Sequence, residues 1–239
     1  MATPVTPTDE LDNLTATAAL RSVALASLAA LIGALLALLV LPAWAPGLSA
    51  SLLGPAPTAY WYLARGAGLV GYLLLWLSVA LGLLITNKLA RLWPGGPTAV
   101  DLHQFASLLA LVYGLAHTLA LLGDHYIGYS LVQVLLPFGS GEYRPLEVGL
   151  GQLAFYAMLP VTFSFYVRQR IGYRTWRLLH YASFGVYLLT GAHGILAGTD
   201  SSTLLVRGMY LVTGMSVYFL TLYRILVTIK RPRALPETA

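Results

Sequence analysis

The chain contains no cysteine. This absence excludes thiolate metal sites, disulfide frameworks and the Cys-x-x-Cys-His attachment of c-type haem. Charged residues are also scarce, at 10% of 239 residues, whereas 58% are hydrophobic and the mean hydropathy is +0.74. A soluble domain cannot keep so apolar a composition off its surface. We therefore expect an integral membrane protein in which any haem is held non-covalently by histidine.

Six apolar runs are each long enough, at roughly 20 residues, to cross a bilayer. We predict helices near 17–42, 58–87, 100–123, 147–168, 175–196 and 204–229, separated by Pro- and Gly-rich connectors. The predicted fold is an all-α bundle of six transmembrane helices over 17–229, between a disordered Pro/Thr-rich tail at 1–16 and a basic tail at 230–239. Ala43-Trp44-Ala45 has the form of a signal-cleavage site, but the apolar run before it is longer than that of a signal peptide, so we expect the first span to be retained.

The basic residues are distributed unevenly along the predicted spans. Eleven fall on one side of the membrane: Arg21, Lys88, Arg91, Arg168, Arg170, Arg174, Arg177, Arg224, Lys230, Arg231 and Arg233. Three fall on the other: Arg65, Arg144 and Arg207. Because Lys and Arg resist translocation, we predict a multi-pass protein of the cell membrane with both termini in the cytoplasm. Clusters beside spans set topology or meet anionic lipid, so the net charge of +5 does not indicate nucleic-acid binding.

The segment 128–138 is apolar but too short to span the membrane, and Pro137 limits its helix. It either lies flat at the outer interface as a lid or packs on the bundle as a loop.

Four of the five histidines lie inside two predicted spans. His103 and His117 are fourteen residues apart in span three, and His180 and His193 are thirteen apart in span five. At about 1.5 Å rise per residue, each helix places one histidine near each leaflet. The predicted topology makes these two spans parallel. His103 is therefore level with His180, and His117 is level with His193.

Two imidazoles that face each other at one depth can occupy both axial positions of a haem iron. Paired levels favour two haems between helices three and five, which would form an electron path across the membrane. Isolated membrane histidines more often pack or relay protons, so a proton-coupled membrane transporter is the alternative function. A zinc site would lack ligands, because only Asp101 lies at either level besides the histidine pairs.

The helical wheel fits one pair of positions better than the other. At about 100° per residue, fourteen residues return within roughly 40° of the starting face, whereas thirteen leave an offset of roughly 140°. Span five must therefore distort, or its two haems must be met from different faces.

The histidine spacing, together with Trp176-Arg177-Leu178-Leu179-His180 at the start of span five, resembles the ferric reductase-like transmembrane domain family. This family includes ferric-chelate reductases, the membrane half of NADPH oxidases and the haem subunit of bacterial periplasmic methionine sulfoxide reductase. The resemblance runs from about 60 to 229. It implies two b-type haems, with His103, His117, His180 and His193 as the iron ligands, and electron transfer from the cytoplasmic to the outer face.

The chain departs from the reductases and oxidases after Ile229, where only ten residues remain and no Gly-rich dinucleotide loop follows. In this respect it is similar to the stand-alone bacterial subunits. The resemblance therefore implies the membrane subunit of an oxidoreductase. A separate flavoprotein, which supplies a flavin, or a quinol would donate the electrons. The acceptor on the outer face would be ferric iron, oxygen or a partner protein.

Two arginines are candidate cofactor-binding residues. Arg65, in the outer third of span two, either holds the propionates of the outer haem or snorkels to the interface beside Tyr60 and Trp61. Arg177 precedes His180 by three residues and, with Arg174, would serve the inner haem or receive an acidic electron donor. Positive-inside topology alone is the alternative reason for the inner arginines, Arg168 and Arg170 included.

Overall fold

The computed structural model describes residues 43–54, 59–125, 127–141 and 143–229, together with isolated positions between 21 and 40. Its seven α-helices within these residues are α1 (Pro46–Leu53), α2 (Ala59–Thr86), α3 (Gly96–Gly123), α4 (Leu131–Leu135), α5 (Pro145–Ile171), α6 (Tyr173–Ala197) and α7 (Leu204–Ile229). None of the described residues forms a β-strand. Two short 3₁₀ segments, Leu89–Arg91 and Thr199–Ser202, lie in connections between long helices. The all-α fold class is thereby confirmed.

Five of the helices correspond to five of the six predicted spans. Four of them, α2, α3, α5 and α7, are long and apolar enough to cross a membrane. The fifth, α6, has 25 residues but is not in that group, because its two histidines, its glycines and its tyrosines lower its hydropathy. The first predicted span, 17–42, lies mainly outside the described residues, as do both predicted tails. The count of six spans therefore stays a prediction.

Local sequence explains how the long helices begin and end. Proline occupies the first turn of α1, α3 and α5, where its missing N–H costs no intrahelical hydrogen bond. Gly172 separates α5 from α6 with φ = +80°, a conformation that side chains disfavour. This single residue reverses the chain between two helices of 27 and 25 residues.

Helix α2 lies at the centre of the bundle and packs against α3, α6 and α7, while α5 packs along α6. The core consists of residues from these helices, including Tyr72, Leu75, Met158, Val186 and Val217. Many large apolar side chains on α3, α6 and α7 are exposed, such as Leu119 (54%), Leu188 (68%) and Leu211 (66%). Exposed apolar surface on this scale is expected for helices that face lipid.

The two helices that carry the paired histidines, α3 and α6, are not among the closely packed pairs. Each instead packs along a neighbour, α3 on α2 and α6 on α5. The bundle therefore leaves space between the histidine-bearing faces, and α2 and α5 form its side walls.

Candidate functional site

The histidines of α3 and α6 come together in the two pairs expected from their depths. The ring centres of His103 and His180 are 5.9 Å apart, with an angle of 71° between the ring planes. Those of His117 and His193 are 6.1 Å apart, with an angle of 72°. Along α3 the two levels are about 21 Å apart, at 1.5 Å per residue. The fold thus contains two similar imidazole pairs at two depths.

These separations can be compared with what one shared metal ion requires. With metal–nitrogen bonds of about 2.0 Å and ring centres about 1.1 Å further out, the ring centres of two imidazoles on opposite sides of one ion stand about 6.2 Å apart. Both observed separations are within about half an ångström of that value. No group of three or more His, Asp or Glu side chains within the described residues could hold a metal ion. The donor set therefore fits a planar cofactor that needs only two axial ligands better than it fits a zinc ion.

Backbone carbonyl groups orient three of the four imidazoles. Each of these rings donates a hydrogen bond from Nδ1 to a carbonyl oxygen on the neighbouring helix: His103 to Ser78 (2.8 Å), His117 to Ala64 (2.7 Å) and His193 to Glu147 (2.8 Å). A carbonyl oxygen can only accept, so the proton must be on Nδ1. The bare Nε2 atoms are then available as metal ligands.

A glycine follows each of these three carbonyls by four residues and lies against the imidazole ring. A Cβ atom built on Gly68 would be 3.1 Å from His117 Nδ1, one on Gly82 would be 3.3 Å from His103 Cε1, and one on Gly151 would be 2.7 Å from His193 Cγ. In an α-helix the residue at i+4 lies directly over the carbonyl of residue i, so a side chain there would block access to that oxygen. We call each pairing of a carbonyl with its glycine a glycine notch. Gly68 and Gly82 are thus close-packing positions whose partner is a histidine ring.

His180 is held differently from the other three histidines. It makes no hydrogen bond to a carbonyl within the described residues; instead its ring stacks on Trp176, with ring centres 5.3 Å apart and planes at 26°. The spacing of thirteen residues places His180 on a different face of α6 from His193. The two imidazole pairs therefore have the same separation but different supports.

A cavity of about 320 Å³ lies at the outer histidine level. His117 and His193 line it together with apolar residues and a few polar ones, among them Arg65, Asp200 and Tyr210. Cofactor clefts of roughly 300–1,000 Å³ usually combine apolar walls with a few polar groups in this way. The cavity beside the outer pair thus has the mixed lining of a cofactor cleft and a volume at the lower end of that range.

The segment 128–138 covers this cavity. Ser130 is the N-cap residue of its short helix α4, and the side chains of Ser130 and Gln133 form a capping box. Gln152 on α5 donates to the carbonyls of Gln133 and Val134, each at 2.8 Å, and the Tyr156 hydroxyl donates to the Leu135 carbonyl. Gln133, Val134 and Leu135 line the cavity, so the segment packs on the bundle as a cover over the outer site.

Arg65 has a partner that sequence reasoning did not identify. Its guanidinium forms a bidentate ion pair with the Asp200 carboxylate, with 2.7 Å between Nε and Oδ2 and a second contact between Nη2 and Oδ1. The guanidinium carbon also lies 5.7 Å from the centre of the Trp61 ring. The pair joins α2 to the segment between α6 and α7 at the edge of the cavity. An acidic residue seven positions beyond His193, at the depth of Arg65, was the sequence signal that could have indicated it.

Arg177 lies on an exposed strip of α6 near the inner pair. It donates to the hydroxyl groups of Tyr181 (3.1 Å) and Tyr173 (3.3 Å), one turn after it and one turn before it. Its predicted role at an inner cofactor stays a prediction, as does the role of Arg65 at an outer one.

The fold and the site define a class of protein: a helical, multi-pass membrane protein with two levels of paired imidazoles. The family model described as ferric reductase like transmembrane component matches residues 67–191, just over half of the chain. The chain belongs to this family. The match contains His103, His117 and His180, and His193 lies two residues beyond it. Searches of curated proteins and of solved structures each found no significant match.

Proposed function

We propose that this chain carries electrons across the membrane by holding two b-type haems. His103 and His180 would bind the inner haem, and His117 and His193 the outer one. The observation that carries the proposal is the pair of ring separations, 5.9 and 6.1 Å, at which one iron could be bound from both sides. Membership of the ferric reductase-like family supports electron transfer in general.

When bound, each haem supplies a one-electron iron couple, and the chain supplies position and environment. The carbonyls of Ser78, Ala64 and Glu147 keep three imidazoles in the tautomer that leaves Nε2 free. Glycines allow the rings to lie close to α2 and α5. Arg65, on the cavity wall, would pair with a haem carboxylate while keeping its contact with Asp200.

We further propose that the donor is a cytoplasmic flavoprotein or a quinol and that the acceptor lies at the outer face. In this view the chain is the membrane subunit of an oxidoreductase, with both termini in the cytoplasm. Arg174 and Arg177 lie on the predicted cytoplasmic side, where their positive charge would attract an acidic donor protein.

Reduced-minus-oxidised visible spectra and haem content per chain test the proposal. We expect two haems in the purified wild type, loss of one in His103→Ala or His180→Ala, and loss of the other in His117→Ala or His193→Ala, because each iron needs both axial ligands. His125→Ala is the matched control, because His125 is exposed and lies outside the long helices. A wild type without haem bands, or a His103→Ala protein that keeps both haems with an unchanged spectrum, would contradict the proposal. A proton-coupled transporter would give the first of these results.

A further inference from the structure

Glycine notches orient three of the four imidazoles, but not the imidazole of His180. A ring with Nδ1 fixed to a carbonyl cannot turn about its Cβ–Cγ bond without breaking that hydrogen bond. His180 lacks this restraint within the described residues, yet its ring is held at nearly the same angle to its partner as the ring of His193, 71° against 72°. Another contact must therefore set the plane of His180.

Trp176 is the residue that makes such a contact. It lies one helical turn before His180, and its indole plane is within 26° of the imidazole plane. Residues at i and i+4 share a helix face, so this stack needs no tertiary rearrangement to form. If the imidazole turned about its Cβ–Cγ bond, it would lose the stacked contact with the indole ring.

Trp176 is itself enclosed by aromatic rings. Phe165 of α5 is 6.5 Å away, with an angle of 63° between the planes, and Tyr173 is 5.6 Å away at 43°. The buried Nε1 atom of Trp176 has no hydrogen-bond partner within the described residues. Ring contacts, rather than a hydrogen bond, therefore hold the indole in place. The restraint on His180 thus extends through Trp176 to α5.

We propose that Trp176 is the positioning residue of the inner site and sets the plane of the His180 imidazole by stacking. This inference rests on the proposed function, because an axial ligand plane has meaning only when His180 binds iron. It follows that one of the two ligand planes at the inner site depends on a replaceable side chain, whereas both ligand planes at the outer site depend on backbone carbonyls. The outer angle should not respond to any substitution of Trp176.

Electron paramagnetic resonance of the oxidised protein measures this angle. The anisotropy of a low-spin ferric haem with two imidazole ligands depends on the angle between the ligand planes. We expect two low-spin signals from the wild type, with the inner one identified by its absence in His103→Ala. Trp176→Leu should shift or broaden the inner signal alone, with both haems retained. Trp176→Phe, which keeps an aromatic ring but removes the N–H group, should leave both signals unchanged.

Trp44→Leu is the matched control, since Trp44 is 86% exposed and distant in sequence from the site. If the leucine variant fails to accumulate in membranes, Trp176→Met provides the same test with a different apolar chain. The inference is overturned if the leucine or methionine variant keeps both haems and both signals unchanged, or if Trp176→Phe shifts the inner signal as much as they do. A wild type without haem would instead refute the proposed function, so the two failures are distinguishable.

Discussion

Replacing Gly151 by alanine tests the glycine notch at the outer site. The new Cβ would lie 2.7 Å from Cγ and Nδ1 of His193. Comfortable carbon contacts begin at about 3.5 Å, so the ring must retreat from α5 by about 0.8 Å. The Glu147 carbonyl that accepts the Nδ1 hydrogen bond at 2.8 Å is also on α5. The same retreat therefore stretches that bond to about 3.6 Å, beyond hydrogen-bond range.

The expected cost is that of an unpaired buried imidazole N–H group, about 1–3 kcal/mol. Loss of such a supporting bond usually weakens metal binding by about 10–100-fold. The backbone itself gains about 1 kcal/mol of helix propensity from Gly→Ala, so the helix should not unfold. We therefore expect Gly151→Ala to lower outer haem content while the inner haem is retained.

Alanine substitutions at the three glycine notches should reduce haem content to different degrees. The Cβ contacts would be 3.1 Å for Gly68→Ala and 3.3 Å for Gly82→Ala, so the losses should decrease in the order Gly151, Gly68, Gly82. Gly82→Ala should affect the inner haem only. Gly66→Ala is the control, because nothing lies within 4 Å of its Cβ position. Haem content and resolved redox titrations measure each effect. Retention of the outer haem by Gly151→Ala as fully as by Gly66→Ala would show that the notch does not support His193.

Two further predictions concern the potential of the outer haem and the topology of the chain. Arg65→Gln should lower the potential of the outer haem, because it removes a positive charge that favours the reduced form. Asp200→Asn should raise this potential, because it removes a negative charge. At a distance of about 10 Å between charge and iron and an effective dielectric of 20, the loss of either charge changes the free energy of reduction by roughly 1–2 kcal/mol. A titration in which neither variant moves the outer wave would mean that the ion pair only joins α2 to the segment before α7. For topology, a reporter active only outside the cytoplasm should be inactive when fused after Ala239 and active when inserted near Gly141, and activity after Ala239 would reverse the predicted orientation.

The boundaries of the long helices could be predicted closely from sequence alone. Predicted spans 58–87 and 204–229 compare with observed helices at Ala59–Thr86 and Leu204–Ile229. Apolar run length and Pro/Gly punctuation are local properties, and the bilayer requires every spanning backbone to satisfy its own hydrogen bonds. The sequence also indicated that His103 lies at the depth of His180 and His117 at the depth of His193, because helix rise converts sequence spacing into distance along the helix.

The tertiary structure alone decided how the rings are supported. The notch that holds His117 consists of Ala64 and Gly68, which are about fifty residues away in sequence. Two small residues four positions apart are common in membrane helices, so this pattern alone does not indicate a histidine partner. Arg65 meets Asp200 across 135 residues of sequence. Neither partnership leaves a periodic signal in sequence, because each depends on the azimuth at which two helices pack. The sequence thus determined which residues share a depth, and helix packing determined which backbone carbonyl, glycine or aromatic ring each of them meets.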